Sequence, residues 1–66
     1  MSWHWTYQPV PAGTQGRSKN FPRQGDAESW LGETYPDLYS DGVRSVTLYE
    51  DERKVYGPMS LEPDDA

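Results

Sequence analysis

Four side chains in this sequence are of types that could do chemistry: His4 and the acidic row Glu33, Asp37 and Asp41. His4 is the only histidine in the chain. A histidine that acts as a general base needs a nucleophile and an orienting acid beside it in space. The sequence does not show such a spatial arrangement, and we expect an ordinary exposed or partly paired histidine on the polar face of a strand.

The acidic row repeats at a spacing of four, which places three carboxylates along one side of a helix. Like charges at this spacing cost about 0.2–0.5 kcal/mol per pair, and a cation would relieve that cost. Calcium, however, takes six to eight oxygen ligands, and nothing in the sequence resembles an EF-hand loop. The row therefore favours a solvated acidic face, with no catalytic, metal or cofactor site. A metal-dependent or enzymatic protein that uses His4 and the row is the alternative.

A third feature is an apolar sequence near the end of the chain, Tyr56-Gly57-Pro58-Met59. Read structurally, it is a bulge or a break at the edge of a sheet, because proline donates no ladder hydrogen bond. Read functionally, it is a semi-rigid apolar lip on which a peptide could dock. The chain has more tyrosines than one helix can cover, and exposed aromatic clusters often mark partner surfaces. The predicted partner surface is Tyr49, Tyr56, Gly57, Pro58 and Met59.

The length and composition limit what can position these residues. A chain of 66 residues forms one small domain that buries only about 60% of its unfolded surface, so a large catalytic cleft is not expected. It has no cysteine, which excludes disulfides and thiolate zinc sites and is compatible with a reducing cytoplasm. No apolar run reaches the ~20 residues of a membrane span. We expect a cytoplasmic protein with no membrane contact.

The charge is divided unevenly along the chain. Residues 1–25 hold three basic side chains and no acid, whereas residues 26–66 hold three basic and eleven acidic side chains, a net of −8. Such a body repels phosphate backbones, on which nucleic-acid affinity mainly depends. A nucleic-acid partner is therefore not expected.

The hydrophobic pattern predicts four elements. Trp3, Trp5 and Tyr7 alternate with polar residues, which indicates a strand with an aromatic core face. Residues 9–20 are rich in proline, glycine and small polar residues, so we expect a flexible loop. Residues 43–50 and 54–61 then read as a hairpin.

Between the loop and the hairpin the sequence predicts a helix. Asp26 is expected to cap it, and Gly42 to end it in the left-handed conformation. One apolar stripe joins its buried positions, Ala27, Trp30, Leu31, Tyr35 and Leu38. Pro36 should kink or break this helix near Tyr35.

The order strand, helix, strand, strand predicts an α+β fold: a three-stranded, mostly antiparallel sheet with one kinked helix packed on one face. The domain should span residues 1–61, followed by a disordered acidic tail at residues 62–66. The strand order stays open.

Two sequence blocks resemble a group of small, uncharacterised actinobacterial proteins: Phe21-Pro-Arg-Gln-Gly-Asp-Ala-Glu-Ser-Trp-Leu-Gly-Glu33 and Val55-Tyr-Gly-Pro-Met-Ser-Leu61. The resemblance covers about two thirds of the chain and implies no assigned activity. A looser resemblance, in the order of aromatic strand, helix, glycine turn and hairpin, is to the sporulation-related repeat that binds peptidoglycan. That domain is longer and exported.

The function predicted from these observations is a small cytoplasmic protein-binding module without catalytic activity, with a protein or peptide as partner. The net charge of −5 makes copies repel each other, so we expect a monomer. If the first strand were a sheet edge, it would allow weak self-association at high concentration and high salt.

Overall fold

The computed structural model describes residues 1–61 and contains four elements in the order strand, helix, strand, strand. They are β1 (Trp3–Gln8), α1 (Gln24–Ser40), β2 (Ser45–Glu50) and β3 (Arg53–Ser60). The strands form one antiparallel sheet in the order β1-β2-β3, so the predicted α+β class is confirmed. The predicted tail at residues 62–66 lies outside the described residues.

The core lies on the aromatic face of β1, as its alternating pattern predicts. Trp5 pairs with Leu48 and Tyr7 with Val46 in the β1–β2 register, so these side chains share one face of the sheet. All four are buried, and Trp5 has no solvent-exposed surface. Full burial of such side chains is the main favourable contribution to folding in a domain that lacks disulfides.

Helix α1 covers this face and lies over β1. Ala27, Leu31 and Leu38 are buried at spacings of four and seven, which places them on one side of the helix. The indole N–H of Trp5 donates a 2.9 Å hydrogen bond to the carbonyl oxygen of Ala27, so the polar atom of this buried ring is satisfied. This bond fixes the helix directly above the first strand.

The predicted apolar stripe is wrong at one of its positions. Tyr35 is 46% exposed, although its spacing places it on the same side of α1 as Leu31. Trp30 is only partly buried and packs at the margin of the core against Phe21, with ring centroids 5.4 Å apart. The core is narrower than the stripe because the helix lies over β1 and not over the middle of the sheet.

The helix ends differ from the prediction at one terminus. The helix begins at Gln24 with Arg23 at the N-cap position, and no side chain caps it. The predicted Asp26 cap is therefore wrong, although Asp26 still lies in the first turn, where a negative charge is favourable. At the other end Asp41 is the C-cap and Gly42 follows with φ +106°, so the predicted role of Gly42 is confirmed.

Pro36 lies inside a continuous helix, so a break near Tyr35 does not occur. Proline deprives the carbonyl of Gly32 of its usual helical partner. Leu31 and Leu38 are buried in one core on either side of the proline, and this shared burial holds the two halves of the helix together.

β1 is an outer strand of the three-stranded sheet, but its outer backbone is already paired, so the condition stated for self-association through this strand is not met. Residues 16–21 run along the free side of β1 and bond to it at three positions. Trp3 and Phe21 exchange two backbone hydrogen bonds of 2.9 and 2.7 Å, Ser18 donates to Trp5, and Tyr7 donates to Gly16. The other outer strand is β3, where Pro58 lies, and residues 1–61 place no further strand beyond it. Fast motion within residues 9–20 stays a prediction.

A candidate binding pocket between the helix and the edge strand

The position of α1 over β1 leaves a space above the opposite side of the sheet. Neighbouring strands are ~4.8 Å apart, so β3 lies roughly 10 Å from β1. α1 packs against β1, so it leaves the space above β3 uncovered. The result is a pocket of about 440 Å³ between α1 and β3, here called the α1–β3 pocket.

Its walls are mainly apolar. Trp5, Leu31 and Leu61 are buried side chains that also line the pocket. Tyr35 and Met59 line it as well, yet they are 46% and 39% exposed. The pocket therefore joins the buried core to two exposed apolar side chains.

A β-bulge in β3 builds the far wall of this pocket. Tyr56 pairs with Leu48 and Met59 pairs with Val46, so Gly57 and Pro58 together oppose a single residue of β2. Positions three apart on a regular strand point to opposite faces. The extra residue of the bulge reverses that, and both Tyr56 and Met59 face α1.

Glycine is required in this bulge for two reasons. Gly57 has φ +120°, a conformation that residues with a side chain rarely adopt. A Cβ atom on Gly57 would lie 2.9 Å from Cα of Thr47 and 3.0 Å from the carbonyl oxygen of Val46, both backbone atoms of β2. The close approach of the two strands depends on this glycine.

The polar group of the pocket is a carboxylate held by two neighbours. The hydroxyl of Tyr56 donates a 2.9 Å hydrogen bond to Oε2 of Glu28, across the gap between β3 and α1. The side-chain amide of Gln24 donates to the same oxygen at 3.2 Å. Burial raises the pKa of Tyr56, and the hydrogen bond to Glu28 and the negative charge of Glu28 raise it further, to about 12. The phenol is therefore a neutral donor at physiological pH.

The structure divides the predicted partner surface. Tyr56 and Met59 line the α1–β3 pocket, and Gly57 and Pro58 form the bulge that orients them. The structural interpretation of this sequence as a bulge is correct. Tyr49 does not join them, because it lies on the other face of the sheet, stacked on His4 with ring centroids 5.5 Å apart.

His4 and the acidic row also lie apart. His4 is 8% exposed, and burial and the charge of Arg17 lower its pKa, while Asp51 acts weakly in the opposite direction. The carboxylates of the acidic row are exposed on α1, on the other side of the sheet from His4. Within residues 1–61 no group of three or more histidine, aspartate or glutamate side chains is placed to hold a metal ion.

The sequence analysis did not predict that Glu28 and Gly32 of α1, or Ser60 and Leu61 after the bulge, belong to a site. Glu28, Leu31 and Tyr35 follow the spacing of three and four, so a search for polar residues flanking the apolar stripe would have found Glu28. The position of β3 opposite this part of the helix could not be read from spacing.

Comparisons with known proteins add no relative: the chain matches no protein-family model, no curated protein and no solved structure. In the part of the chain that the structure describes, no helix is long and apolar enough to cross a membrane.

Proposed function

We propose that this protein is a small cytoplasmic binding module without catalytic activity, and that the α1–β3 pocket binds a second polypeptide chain. The observation that carries the proposal is the position of Tyr35 and Met59. They belong to different elements, both are substantially exposed, and both line the same pocket. Burying such side chains in a complex removes apolar surface from water.

The shape of the site supports a polypeptide as the partner. A pocket of this volume, with apolar walls and a few polar groups, falls within the range of ordinary binding sites. Protein interfaces are often dominated by a few side chains that fill such a pocket, surrounded by a polar rim. The pocket opens beside β3, an outer strand of the three-stranded sheet, and its exposed residues Tyr35 and Met59 can be reached from the solvent.

The charge of the chain limits the partner. A net charge of −5 disfavours nucleic acids and acidic surfaces, and it disfavours association of the chain with itself. The proposed state is a monomer that binds a neutral or basic protein.

The proposal is tested by affinity capture from the source cell with two matched variants. Met59→Asp places a charge in the pocket, and Val10→Asp places the same charge at a 60% exposed apolar residue that does not line it. A partner that uses the pocket is retained by the wild type and by Val10→Asp and lost from Met59→Asp. Circular dichroism shows whether both variants are folded. Equal capture by all three proteins, or no captured partner, contradicts the proposal.

A further inference from the structure

We infer that the α1–β3 pocket takes a basic side chain of the partner, arginine or lysine, with its charged head at Glu28 and its apolar stem against Leu31 and Met59. The inference rests on the proposed function and specifies its recognition chemistry.

The carboxylate of Glu28 at the pocket has no cationic partner within residues 1–61. Among residues 1–61, Glu28 is the only charged side chain that lines the pocket. Its Oε2 accepts from Tyr56 and Gln24, both neutral donors, and its Oε1 has no hydrogen-bond partner among the described residues. The ion pair found within residues 1–61 joins Arg53 to Glu50 instead. Within residues 1–61, the carboxylate of Glu28 therefore has no cationic partner, and its Oε1 is available as an acceptor at the pocket.

The lining of the pocket places apolar surface next to a carboxylate. Leu31 and Met59 give an apolar wall, and the carboxylate of Glu28 lies beside it. Arginine and lysine have this same order, an apolar stem followed by a cationic head. The rings of Tyr35 and Tyr56 add aromatic surface, which attracts cations. The chain already makes such a contact elsewhere, where the guanidinium of Arg44 lies 4.1 Å from the ring centroid of Tyr39.

Other side chains fit less well. An acidic side chain would be repelled by Glu28. A purely apolar side chain would remove water from the carboxylate without replacing its hydrogen bonds, which is unfavourable. A cation satisfies the free oxygen and the charge together.

The test is a titration of the full-length protein, followed by amide chemical shifts, with three blocked pentapeptides of the form Ala-Ala-Xaa-Ala-Ala. Xaa is arginine, citrulline or leucine. Citrulline has the shape of arginine without its charge. We expect the arginine peptide to move the resonances of Leu31, Tyr56 and Met59 with an affinity about fivefold higher than the citrulline peptide, the size of effect expected from one partly exposed ion pair and one cation–π contact.

Two variants separate local from general attraction. Glu28→Gln keeps an acceptor for Tyr56 but removes the charge, and it should abolish the preference for arginine over citrulline. Glu33→Gln removes the same charge from an exposed position on α1 outside the pocket, and should leave the preference unchanged within about twofold, because exposed charges at a distance are screened.

Each remaining outcome overturns a specific claim. If citrulline or leucine binds in the pocket as well as arginine does, the basic specificity is wrong and the proposed function stands. If no peptide moves the pocket resonances, both are wrong. If these resonances shift on dilution without any peptide, the occupant is a second copy of the chain, and the inference is again overturned.

Discussion

The two outer strands of the sheet, β1 and β3, differ in what lies along their outer edges. The β1 edge is here called the closed side and the β3 edge the open side. On the β1 side, residues 16–21 satisfy the strand through bonds from Phe21, Ser18 and Gly16. On the β3 side, residues 1–61 contain no further strand beyond β3, and Gly57 and Pro58 form a bulge within this continuous strand. One side is closed by the protein itself, while the other borders the α1–β3 pocket.

The two edges therefore depend on different kinds of residue. Residues 16–21 close β1 with backbone groups and the hydroxyl of Ser18, and Phe21 at the end of this segment is buried in the core. Along β3, the bulge at Gly57 orients the large side chains of Tyr56 and Met59, which line the α1–β3 pocket. A natural sheet edge is usually protected by charge, proline or a bulge. On β3 the bulge at Gly57 and Pro58 lies between Tyr56 and Met59, which line the α1–β3 pocket, so the bulged edge and the pocket wall are adjacent.

The largest expected effect is on the closed side, at Trp5. Its ring has no exposed surface, and its indole N–H bonds to Ala27 of the helix. Trp5→Ala should lower the free energy of unfolding by about 3–5 kcal/mol, because it leaves a large cavity and an unpaired carbonyl. A small domain has little more stability than this, so we expect a largely unfolded protein at 25 °C.

The matched control is Trp3→Ala on the same strand, since Trp3 is only partly buried. Urea unfolding followed by circular dichroism measures both variants. An equal loss of stability would show that the core is not centred on Trp5.

On the open side, at Gly57, the expected loss of stability is smaller and arises from backbone strain. Gly57→Ala should cost about 3 kcal/mol, because alanine is strained at φ +120° and its Cβ would meet the backbone of Thr47. Gly25→Ala is the control, because a Cβ there meets nothing within 4 Å and α1 favours alanine over glycine. Thermal melts decide between them. Two melting temperatures at or above that of the wild type would mean that the bulge does not need glycine.

The contrast between the two sides also explains which features the sequence could predict. The strands, the helix and the buried positions of β1 follow from periodicity, which reflects side chains that must leave water. The pairing of residues 16–21 leaves no such pattern, because backbone groups are the same in every residue. The exposure of Tyr35 depends on where α1 lies over the sheet, and spacing along a helix does not contain that information. The sequence predicted a bulge at Gly57 and Pro58. Only the strand register shows that this bulge turns Tyr56 and Met59 to the same face of the sheet.

A moderate effect is expected when one bond of the closed side is removed. Ser18 is buried, and its hydroxyl oxygen accepts a 2.8 Å hydrogen bond from the backbone N–H of Trp5. Ser18→Ala leaves that buried N–H without a partner and should cost about 1–2 kcal/mol. Ser29→Ala, at an exposed position on α1, is the control and should change little. Amide hydrogen exchange at Trp5 should accelerate only in Ser18→Ala. Unchanged exchange there would mean that residues 16–21 contribute little to the closure of β1.

The smallest effect concerns pH and again falls on the closed side. Burial and the nearby charge of Arg17, which belongs to the closing segment, hold the pKa of His4 below its usual 6.5. The unfolded chain therefore binds a proton more readily than the folded protein between the folded pKa and 6.5. The contribution of neutral His4 to stability is fully present above pH 6.5 and is lost as the pH falls through this window.

His4→Gln keeps a polar side chain that cannot titrate, so it should flatten the part of the stability profile that lies below pH 6.5. Urea unfolding of both proteins at several pH values between about 5 and 8 measures the difference, and the carboxylates contribute equally to each profile. Two profiles with the same slope would show that His4 takes up its proton as easily in the folded protein as in the unfolded chain. In that case Arg17 does not act on His4 across the closed edge. If the two profiles differ, Arg17→Gln separates the causes, because the effect that His4→Gln still has in the Arg17→Gln background no longer contains the charge of Arg17.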